Sequence, residues 1–330
     1  STPAGEPERL TFPMTDNRDC RVSPDGSRLA FGVYLTRRHL WSYPLSAQGA
    51  VSGQPRQITF RGQRNYYPVL SPDGRTLVYT AQDSDKGLLY YRDLSEGLDR
   101  KLTKEWGRDN REVLASFSPD GQIVYASTAQ KAFELYRMLA AGGVGLKLTT
   151  GKPEHRDTWP SWSPDGKLIA FQSNRAGNQD IWIISNDGSG LERLISSDAN
   201  ELQPAFSPGG KTLAYTSDAS RNQDIWLLDL ASKTANPLVQ HPATDGPGAW
   251  SPDGRRFYFL SDRGGQVGLW VVPADGGEAS LVIAPQAPLS FPAPQIYGKF
   301  AAGERELLVP LETRQSSVYV LDGLGSGGQE

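Results

Sequence analysis

The chain has 330 residues, 34 of them basic and 37 acidic, which gives a formal net charge of −3 at pH 7. This balance produces no strong field of one sign, so it does not favour nucleic acid or an anionic membrane as the partner. A single cysteine, Cys20, excludes an intramolecular disulfide and a cysteine cluster for zinc. The 35 glycines, 24 prolines and 8 tryptophans are typical of many short strands joined by tight turns.

No stretch approaches the roughly 18 apolar residues that a membrane-spanning helix needs, and the first ten residues have no signal-peptide pattern. The chain begins with Ser1 instead of Met, which predicts a processed or excised chain whose signal or anchor lies outside this sequence. We expect a periplasmic or otherwise extracytoplasmic, monomeric domain.

A four-residue turn, Ser-Pro-Asp-Gly or a close variant, recurs along the chain with its serines at positions 23, 71, 118, 163, 207 and 251. The strand after each turn ends in an aromatic residue: Phe31, Tyr79, Tyr125, Phe171, Tyr215 and Phe259. A second aromatic follows 18 or 19 residues after each serine: Trp41, Tyr90, Tyr136, Trp182, Trp226 and Trp270. Spacings of 44 to 48 residues between the serines predict stacked copies of one supersecondary unit.

Each unit is predicted to be a sheet of four short antiparallel strands, A to D, in which the Pro-Asp-Gly turn joins A to B. A short strand D closes each unit, at Ile58-Thr59, Leu102-Thr103, Leu148-Thr149, Leu194-Ile195, Leu238-Val239 and Leu281-Val282. One such sheet cannot bury both of its faces alone. Radial stacking of these units predicts an all-β fold, a β-propeller; an open solenoid is the alternative, and it would need polar caps that the sequence does not show.

A seventh copy is predicted at the C-terminus, with Phe300 to Gly303 as its turn, Leu308 in the first aromatic column and Tyr319 in the tryptophan column. That copy stops after its third strand, whereas Glu8 to Thr11 resembles a strand D with no unit before it. We therefore expect seven blades in one domain over residues 1–330, the last blade being closed by the N-terminal strand. The expected blades are 13–59, 60–103, 104–149, 150–195, 196–239, 240–283, and 284–322 plus 7–12.

The best-formed copies, Pro160 to Trp182 and Pro204 to Trp226, resemble the PD40 repeat of the TolB-like propeller family. The resemblance covers essentially the whole chain and implies the propeller fold. For function it implies a range: a periplasmic Tol–Pal propeller that binds protein partners, sensor domains of bacterial regulators and kinases, and propellers that gate prolyl-oligopeptidase-like peptidases. TolB itself has an additional N-terminal α/β domain and is usually six-bladed, and the seven repeats expected here depart from that pattern.

No motif for catalysis is found. The sequence has no Gly-x-Ser-x-Gly nucleophile elbow, P-loop, His-Glu-x-x-His or EF-hand loop. His39, His155 and His241 do not stand at metal-ligand spacing, although His155 and His241 fall in D–A loops two blades apart. We expect no cofactor and no catalysis; the alternative is the gating propeller of a serine peptidase or a metal-dependent lyase.

Charged residues that recur at equivalent positions are interpreted as structural. Asp180 and Asp224 precede the Ile-Trp strand, and Arg175 and Arg221 lie in the loops just before it. A binding site should differ between blades, whereas a scaffold should repeat. These residues are therefore expected to bridge strands or neighbouring blades, as the tryptophan column is expected to pack between blades.

The D–A loops differ from blade to blade and provide the candidate binding site. Seven residues before the turn serine, three consecutive copies have Arg64, Arg111 and Arg156. Tyr66, Trp106, Arg108 and His155 accompany them, and arginine with aromatic residues is typical of interface hot spots. The expected partner at the D–A and B–C loop face is a protein, an acidic peptide or a small anionic ligand. In the alternative, Glu112, Asp157, Asp109 and Glu154 neutralise the arginines locally.

Overall fold

The computed structural model describes residues 16–25, 27–62, 64–82, 87–103, 111–128, 132–292 and 298–322. All regular secondary structure among these residues is β-strand. No helix that could cross a membrane is found among them. The chain divides into two compact units, one of residues Arg38–Glu312 and one of the two chain ends, Ser1–Arg37 with Thr313–Glu330.

The larger unit contains four separate four-stranded antiparallel sheets that follow one another along the chain. The third blade has β8 (Glu112–Phe117), β9 (Gln122–Ser127), β10 (Glu134–Leu139) and β11 (Leu146–Lys147). The fourth has β12 (Thr158–Trp162), β13 (Leu168–Ser173), β14 (Asp180–Ser185) and β15 (Glu192–Arg193). The fifth has β16 (Glu201–Phe206), β17 (Thr212–Ser217), β18 (Asp224–Asp229) and β19 (Ala235–Val239). The sixth has β20 (Asp245–Trp250), β21 (Arg256–Ser261), β22 (Gly268–Pro273) and β23 (Ser280–Ile283).

The second blade has the same plan, with β4 (Arg64–Leu70), β5 (Thr76–Gln82), β6 (Gly87–Asp93) and β7 (Asp99–Lys101). The remaining strands are β1 (Asp16–Val22), β2 (Arg28–Pro44), β3 (Arg56–Gln57), β24 (Leu289–Ser290), β25 (Ala301–Ala302) and β26 (Glu306–Asp322). In all five complete blades the two aromatic columns are directly paired, as in Phe171↔Trp182 and Phe259↔Trp270. The propeller expectation is confirmed.

The expected count of seven blades and its closure are not confirmed. Within Arg38–Glu312, the described strands form a sixth four-stranded group in the order β25, β26, β2, β3. The C-terminal part of the chain thus supplies strands A and B of this composite blade, and the N-terminal part supplies C and D. Residues 7–12, which were expected to close the last blade, lie outside the described residues.

The first and last copies were misaligned because both depart from the repeat. In the first copy, Val33 to Arg37 has no turn residues, so B and C merge into the 17-residue strand β2. In the last copy Ala302 pairs with Leu307, and the amide of Gly303 donates to the carbonyl of Glu306 at 2.8 Å. Gly303 therefore takes the place of the turn serine, and the turn is shorter than in the other copies. The residue that aligns with the first aromatic column is Val309, not Leu308.

The Ser-Pro-Asp-Gly turns have the geometry that their sequence predicts. In the turn at Ser71, the amide of Gly74 donates to the serine carbonyl at 2.9 Å, and Gly74 has a φ of 68° that favours glycine. The serine hydroxyl donates to Asp73 at 2.5 Å and accepts from the amide of Thr76 at 2.9 Å. The hydrogen bond from the Ser71 hydroxyl is the main cause that holds the pKa of Asp73 below its usual value. The turns are thus self-contained structural elements.

The inner strand of each blade bulges at the residue four positions before the turn serine. The strand register shifts at this point in the second to sixth blades. Four of the residues at this position have positive φ: Tyr67 (56°), Leu114 (59°), Trp159 (54°) and Gln203 (57°). For a residue other than glycine this backbone conformation costs about 1–3 kcal/mol. It therefore persists only where the surrounding structure holds the residue in place.

The smaller unit is a strand hairpin with one further strand. β1 pairs with the first part of β2, with Val22 opposite Leu29, around the turn that begins at Ser23. The ring of Phe31 stacks on that of Tyr319 with centroids 6.0 Å apart, and Cys20 is exposed. The sequence had placed both aromatics in propeller blades.

Candidate functional site

The three arginines of the predicted site are all exposed, as expected for a binding surface. Arg64 and Arg156 occupy equivalent places: each pairs in parallel with the beginning of strand C of the preceding blade, at Arg38 and at Phe133 respectively. The amide of Arg111 donates to Thr128 Oγ1 at 2.8 Å. The backbone therefore fixes the loops. The Arg156 guanidinium lies 5.9 Å from the centroid of the Phe133 ring.

The aromatic part of the predicted site is not confirmed. Tyr66 is wrong as an exposed ligand contact, because it is 5% exposed and belongs to the core between the second, third and fourth blades. Its hydroxyl donates to Gln82 Oε1 at 2.9 Å. Trp106 and Arg108 lie outside the described residues.

The two loop histidines each stabilise their own loop. His155 is half-buried, and its Nδ1 accepts a hydrogen bond from the amide of Lys152 at 3.1 Å. The Nδ1 of His241 accepts from the amide of Ala243 at 3.0 Å. In the described part of the chain, no cluster of three or more His, Cys, Asp or Glu side chains that could hold a metal ion is found.

Of the four carboxylates expected to neutralise the arginines locally, the two whose side chains are described, Asp157 and Glu154, do not pair with them. Asp157 is fully buried and forms its ion pair with Arg175, and not with the adjacent Arg156. Glu154 contributes its backbone carbonyl, which accepts from Asn174 Nδ2 at 3.1 Å. Asp109 lies outside the described residues, and the Glu112 side chain is not described. Among the described residues, no carboxylate pairs with Arg64, Arg111 or Arg156.

Arg175 and Asp180 are structural, as expected, but their partners were not foreseen. Asp157 accepts from Arg175 and from the Ser173 hydroxyl, and the Arg175 guanidinium lies 5.3 Å from the centroid of Trp182. Asp180 pairs with Arg193 at 2.6 Å and so joins strands β14 and β15.

The sixth blade repeats this Asp-Ser-Arg arrangement, which we call the carboxylate bracket. Asp245 accepts from Arg263 at 2.8 and 3.0 Å, and Arg263 Nε donates to the Ser261 hydroxyl at 3.0 Å. The Arg263 guanidinium lies 5.2 Å from the centroid of Trp270. Its planar guanidinium lets arginine pair with a carboxylate through two hydrogen bonds and stack on an aromatic ring, which the ammonium group of lysine cannot do.

The fifth blade has the carboxylate but not the arginine. Glu201, 2% exposed, stands where the other blades have Asp157 and Asp245, while Ala219 stands where they have Arg175 and Arg263. The Ser197 hydroxyl donates to Glu201 Oε1, and Oε2 has no hydrogen-bond partner among the described residues. Burial raises the pKa of Glu201. Arg221, which had been aligned with Arg175, stands instead where other blades have Gly177 and Gly265, and its φ is 80°.

The bulged residues, whose role the sequence interpretation missed, meet at one level of the central channel. The rings of Tyr67 and Trp159 meet edge to face across the channel with centroids 5.7 Å apart. Leu114 belongs to the same buried cluster. These three side chains form a plug between the D–A loop face and the face that has the Ser-Pro-Asp-Gly turns.

A cavity of about 450 Å³ lies on the turn side of this plug. The residues that line it come from the inner strands of six blades, among them Leu70, Phe117, Trp162, Phe206, Trp250 and Phe300. Lys299, four residues before Gly303, occupies the bulge position of the composite blade. Its Nζ donates to the carbonyl of Ala115, on the third blade, at 2.8 Å. In the sequence this site corresponds to the position four residues before each turn serine, where the residue type varies from copy to copy. Lys299 is recognised at that position only when Gly303 is aligned with the turn serines.

The family comparisons agree with this architecture. Residues 194–287 match the TolB beta propeller domain of the PD40 type. An uncharacterized protein of Agrobacterium fabrum is 32% identical over 179 residues, which are 53% of this chain and 57% of that protein. The Tol-Pal system protein TolB of Bordetella pertussis is 29% identical over 163 residues, 48% of this chain and 36% of its own length. The chain is a β-propeller whose repeats are similar to those of TolB. It spans less than two thirds of the length of these curated relatives.

Solved structures extend the likeness to most of this TolB-like chain. The putative TolB from Agrobacterium tumefaciens is similar over 83% of this chain and 98% of its own, with a TM-score of 0.69 at 19% identity. The tricorn protease is similar over 84% of this chain but only 27% of its own, with a TM-score of 0.61 at 17% identity. At these identities the likeness shows the fold alone.

Proposed function

We propose that this TolB-like propeller is a non-catalytic, extracytoplasmic binding module whose D–A and B–C loop face takes an acidic segment of a protein partner. The observation that supports it is the set of exposed arginines on three consecutive blades, Arg64, Arg111 and Arg156, with no carboxylate partner among the described residues. A guanidinium pairs with a carboxylate through two parallel hydrogen bonds, so an array of them favours an acidic peptide.

The relatives support an interaction role without identifying the partner. One of them belongs, by its name, to the Tol-Pal system. We extend to this chain only the idea of a propeller that works by association, outside the cytoplasm. Loops on a rigid ring are suited to this, because the ring fixes the positions of residues that are free to vary.

The ring itself is proposed to have six blades, with the composite blade as its closure. Two strands from each end of Arg38–Glu312 then pair in one four-stranded sheet, and this sheet closes the ring. The buried ion pair between Arg38 in β2 and Glu312 in β26 supports this arrangement, because it joins the two ends of the unit.

A peptidase-gating propeller is the competing function, and the shared fold of the tricorn protease is the observation in its favour. The present sequence contains no Gly-x-Ser-x-Gly motif. We expect the purified chain to hydrolyse neither peptide nor ester substrates. Hydrolysis that survives further purification and disappears on substitution of a single side chain would favour the competing function.

The proposed binding face is tested with a fluorescein-labelled hexaglutamate peptide and its hexaglutamine counterpart. The triple variant Arg64→Ala, Arg111→Ala, Arg156→Ala should weaken hexaglutamate binding at least about tenfold, equivalent to about 1.4 kcal/mol. The control variant Arg75→Ala, Lys211→Ala, Arg255→Ala removes three exposed cations from the turn face. Because both variants lose the same charge, a non-specific charge effect would weaken binding equally in the two. Equal weakening, or preference of the wild type for hexaglutamine, would contradict the proposal.

A further inference from the structure

The channel cavity is chemically different from the arginine face, and the plug of Tyr67, Leu114 and Trp159 separates the two. From its lining we propose that the cavity binds a small molecule with one carboxylate and an apolar, preferably aromatic, body. Lys299 is the residue that recognises the carboxylate. This site is independent of the proposed partner face.

The walls of the cavity are suited to the apolar part of the proposed ligand. They are formed largely by aromatic residues and prolines, including Trp159, Trp162, Trp250, Phe117 and Pro160. A volume of about 450 Å³ falls within the range of about 300–1,000 Å³ that is typical of small-molecule sites. Such a cavity suits a single ring with a short chain.

Lys299 accounts for the anionic group. It is the only charged or titratable side chain among the described residues that line the cavity. Its Nζ contacts the Ala115 carbonyl at 2.8 Å and lies 6.0 Å from the centroid of Trp159. An ammonium group has three donors, and the carbonyl takes one of them. No carboxylate of the described cavity residues balances the charge, so a ligand carboxylate would do so.

The remaining polar groups of the wall are also suited to an anion. The hydroxyls of Ser116 and Ser161 accept hydrogen bonds from the amides of Trp162 and Phe206, at 3.3 and 3.1 Å. Their own protons are thus available for an acceptor in the cavity. Hydroxyl and ammonium donors both match ligand oxygens.

The protonation of Lys299 gives the site a pH dependence. Burial lowers the pKa of Lys299 to about 7. A bound carboxylate stabilises the ammonium form and therefore raises this pKa again. Binding should take up a proton near neutral pH, and affinity should fall as pH rises above about 7.

The experiment is isothermal titration calorimetry with 3-phenylpropanoate and its neutral analogue 3-phenylpropanamide. For the wild type we expect the carboxylate to bind at least about tenfold more tightly than the amide. Lys299→Met keeps most of the side-chain volume and should remove that preference. The control Lys211→Met changes an exposed lysine on a turn and should leave both affinities unchanged.

A pH series on the wild type keeps the test independent of the variant. Carboxylate affinity should decline between pH 7 and higher pH, while amide affinity stays constant. Absence of carboxylate binding at millimolar concentration, equal binding of the two probes, or an unchanged preference in folded Lys299→Met would each overturn the proposal.

Discussion

Two sets of arginines in the propeller have opposite surroundings. Arg175 and Arg263 lie in the carboxylate brackets, each with a buried aspartate, a serine hydroxyl and a tryptophan ring. The arginines of the D–A loops, Arg64, Arg111 and Arg156, are exposed and pair with no described carboxylate. The difference teaches that the role of an arginine depends on its position in the repeat: in the fourth blade Arg175 reaches the buried Asp157, whereas Arg156, next to Asp157 in the chain, is exposed.

The fifth blade shows what the bracket is without its arginine. Glu201 and Ser217 stand in the carboxylate and serine positions, and the amide of Ala219 donates to the Ser217 hydroxyl at 3.2 Å. The amides of Arg175 and Arg263 donate in the same way to Ser173 and Ser261, at 3.3 Å in both. The backbone is therefore equivalent in the three blades. Only the side chains decide whether the carboxylate is paired.

The largest effect is expected from removing a bracket arginine. Arg263→Met leaves Asp245 as an unpaired buried carboxylate, which typically costs about 3–5 kcal/mol. Chemical denaturation should show this loss as a lower midpoint with an unchanged slope. The double variant Asp245→Asn, Arg263→Met should recover part of the loss, because no buried charge remains. A loss below about 1 kcal/mol in the single variant would mean that the bracket is not structural.

A smaller gain is expected from completing the bracket of the fifth blade. Ala219→Arg places a guanidinium where Arg175 and Arg263 stand and offers Glu201 a partner. We expect stabilisation of about 1 kcal/mol, as for a typical intramolecular hydrogen bond, and a lower pKa of Glu201. Ala219→Met is the control for the added apolar surface. Equal stabilisation by methionine and arginine would exclude ion pairing as the cause.

The pH dependence of stability tests the burial of the fifth-blade carboxylate. Because burial raises the pKa of Glu201, the folded state holds a proton that the unfolded state has already released. The stabilising contribution of Glu201 to the free energy of unfolding is fully present below the pKa that Glu201 has in the unfolded state. It is lost as pH rises from about 4.5 through the higher pKa of Glu201 in the folded state. Glu201→Gln should flatten this part of the stability curve. A curve identical to that of the wild type would contradict the assigned burial effect.

The smallest effect on stability is expected at the D–A loops. The triple variant of Arg64, Arg111 and Arg156 to alanine removes exposed side chains whose loops are held by backbone hydrogen bonds. Exposed charges contribute typically under about 1 kcal/mol, so Tm should change by only a few degrees. A loss of cooperative unfolding in the triple variant would show that these arginines are structural.

The regular copies made the fold predictable. Turn residues and paired aromatics recur there at nearly constant spacing, and the structure pairs Tyr79 with Tyr90 and Tyr215 with Trp226 as the columns predicted. The ends were not predicted correctly, because their signals are those of a different local structure. The segment from Gly32 to Arg37 has no turn, and Gly303 replaces the serine in a shorter turn.

The site was harder to predict, because sequence position alone does not show which side chains face the core. Tyr66 stands two residues after Arg64 in the same strand, yet it is buried while Arg64 is exposed. The channel depends on a bulge that turns one residue per blade inward, and no residue type signals it: tyrosine, leucine, tryptophan, glutamine, proline and lysine all occur there.

Hydrogen–deuterium exchange of the chain with and without hexaglutamate tests the central claim most directly. The claim is that the D–A loop face binds an acidic partner while the repeated turns only hold the ring. Amides in 64–67, 111–116 and 152–158 should become protected when the peptide binds, and those of the turns at 71–76 and 207–212 should not. Protection of the turns, or protection that persists in the triple arginine variant, would contradict it.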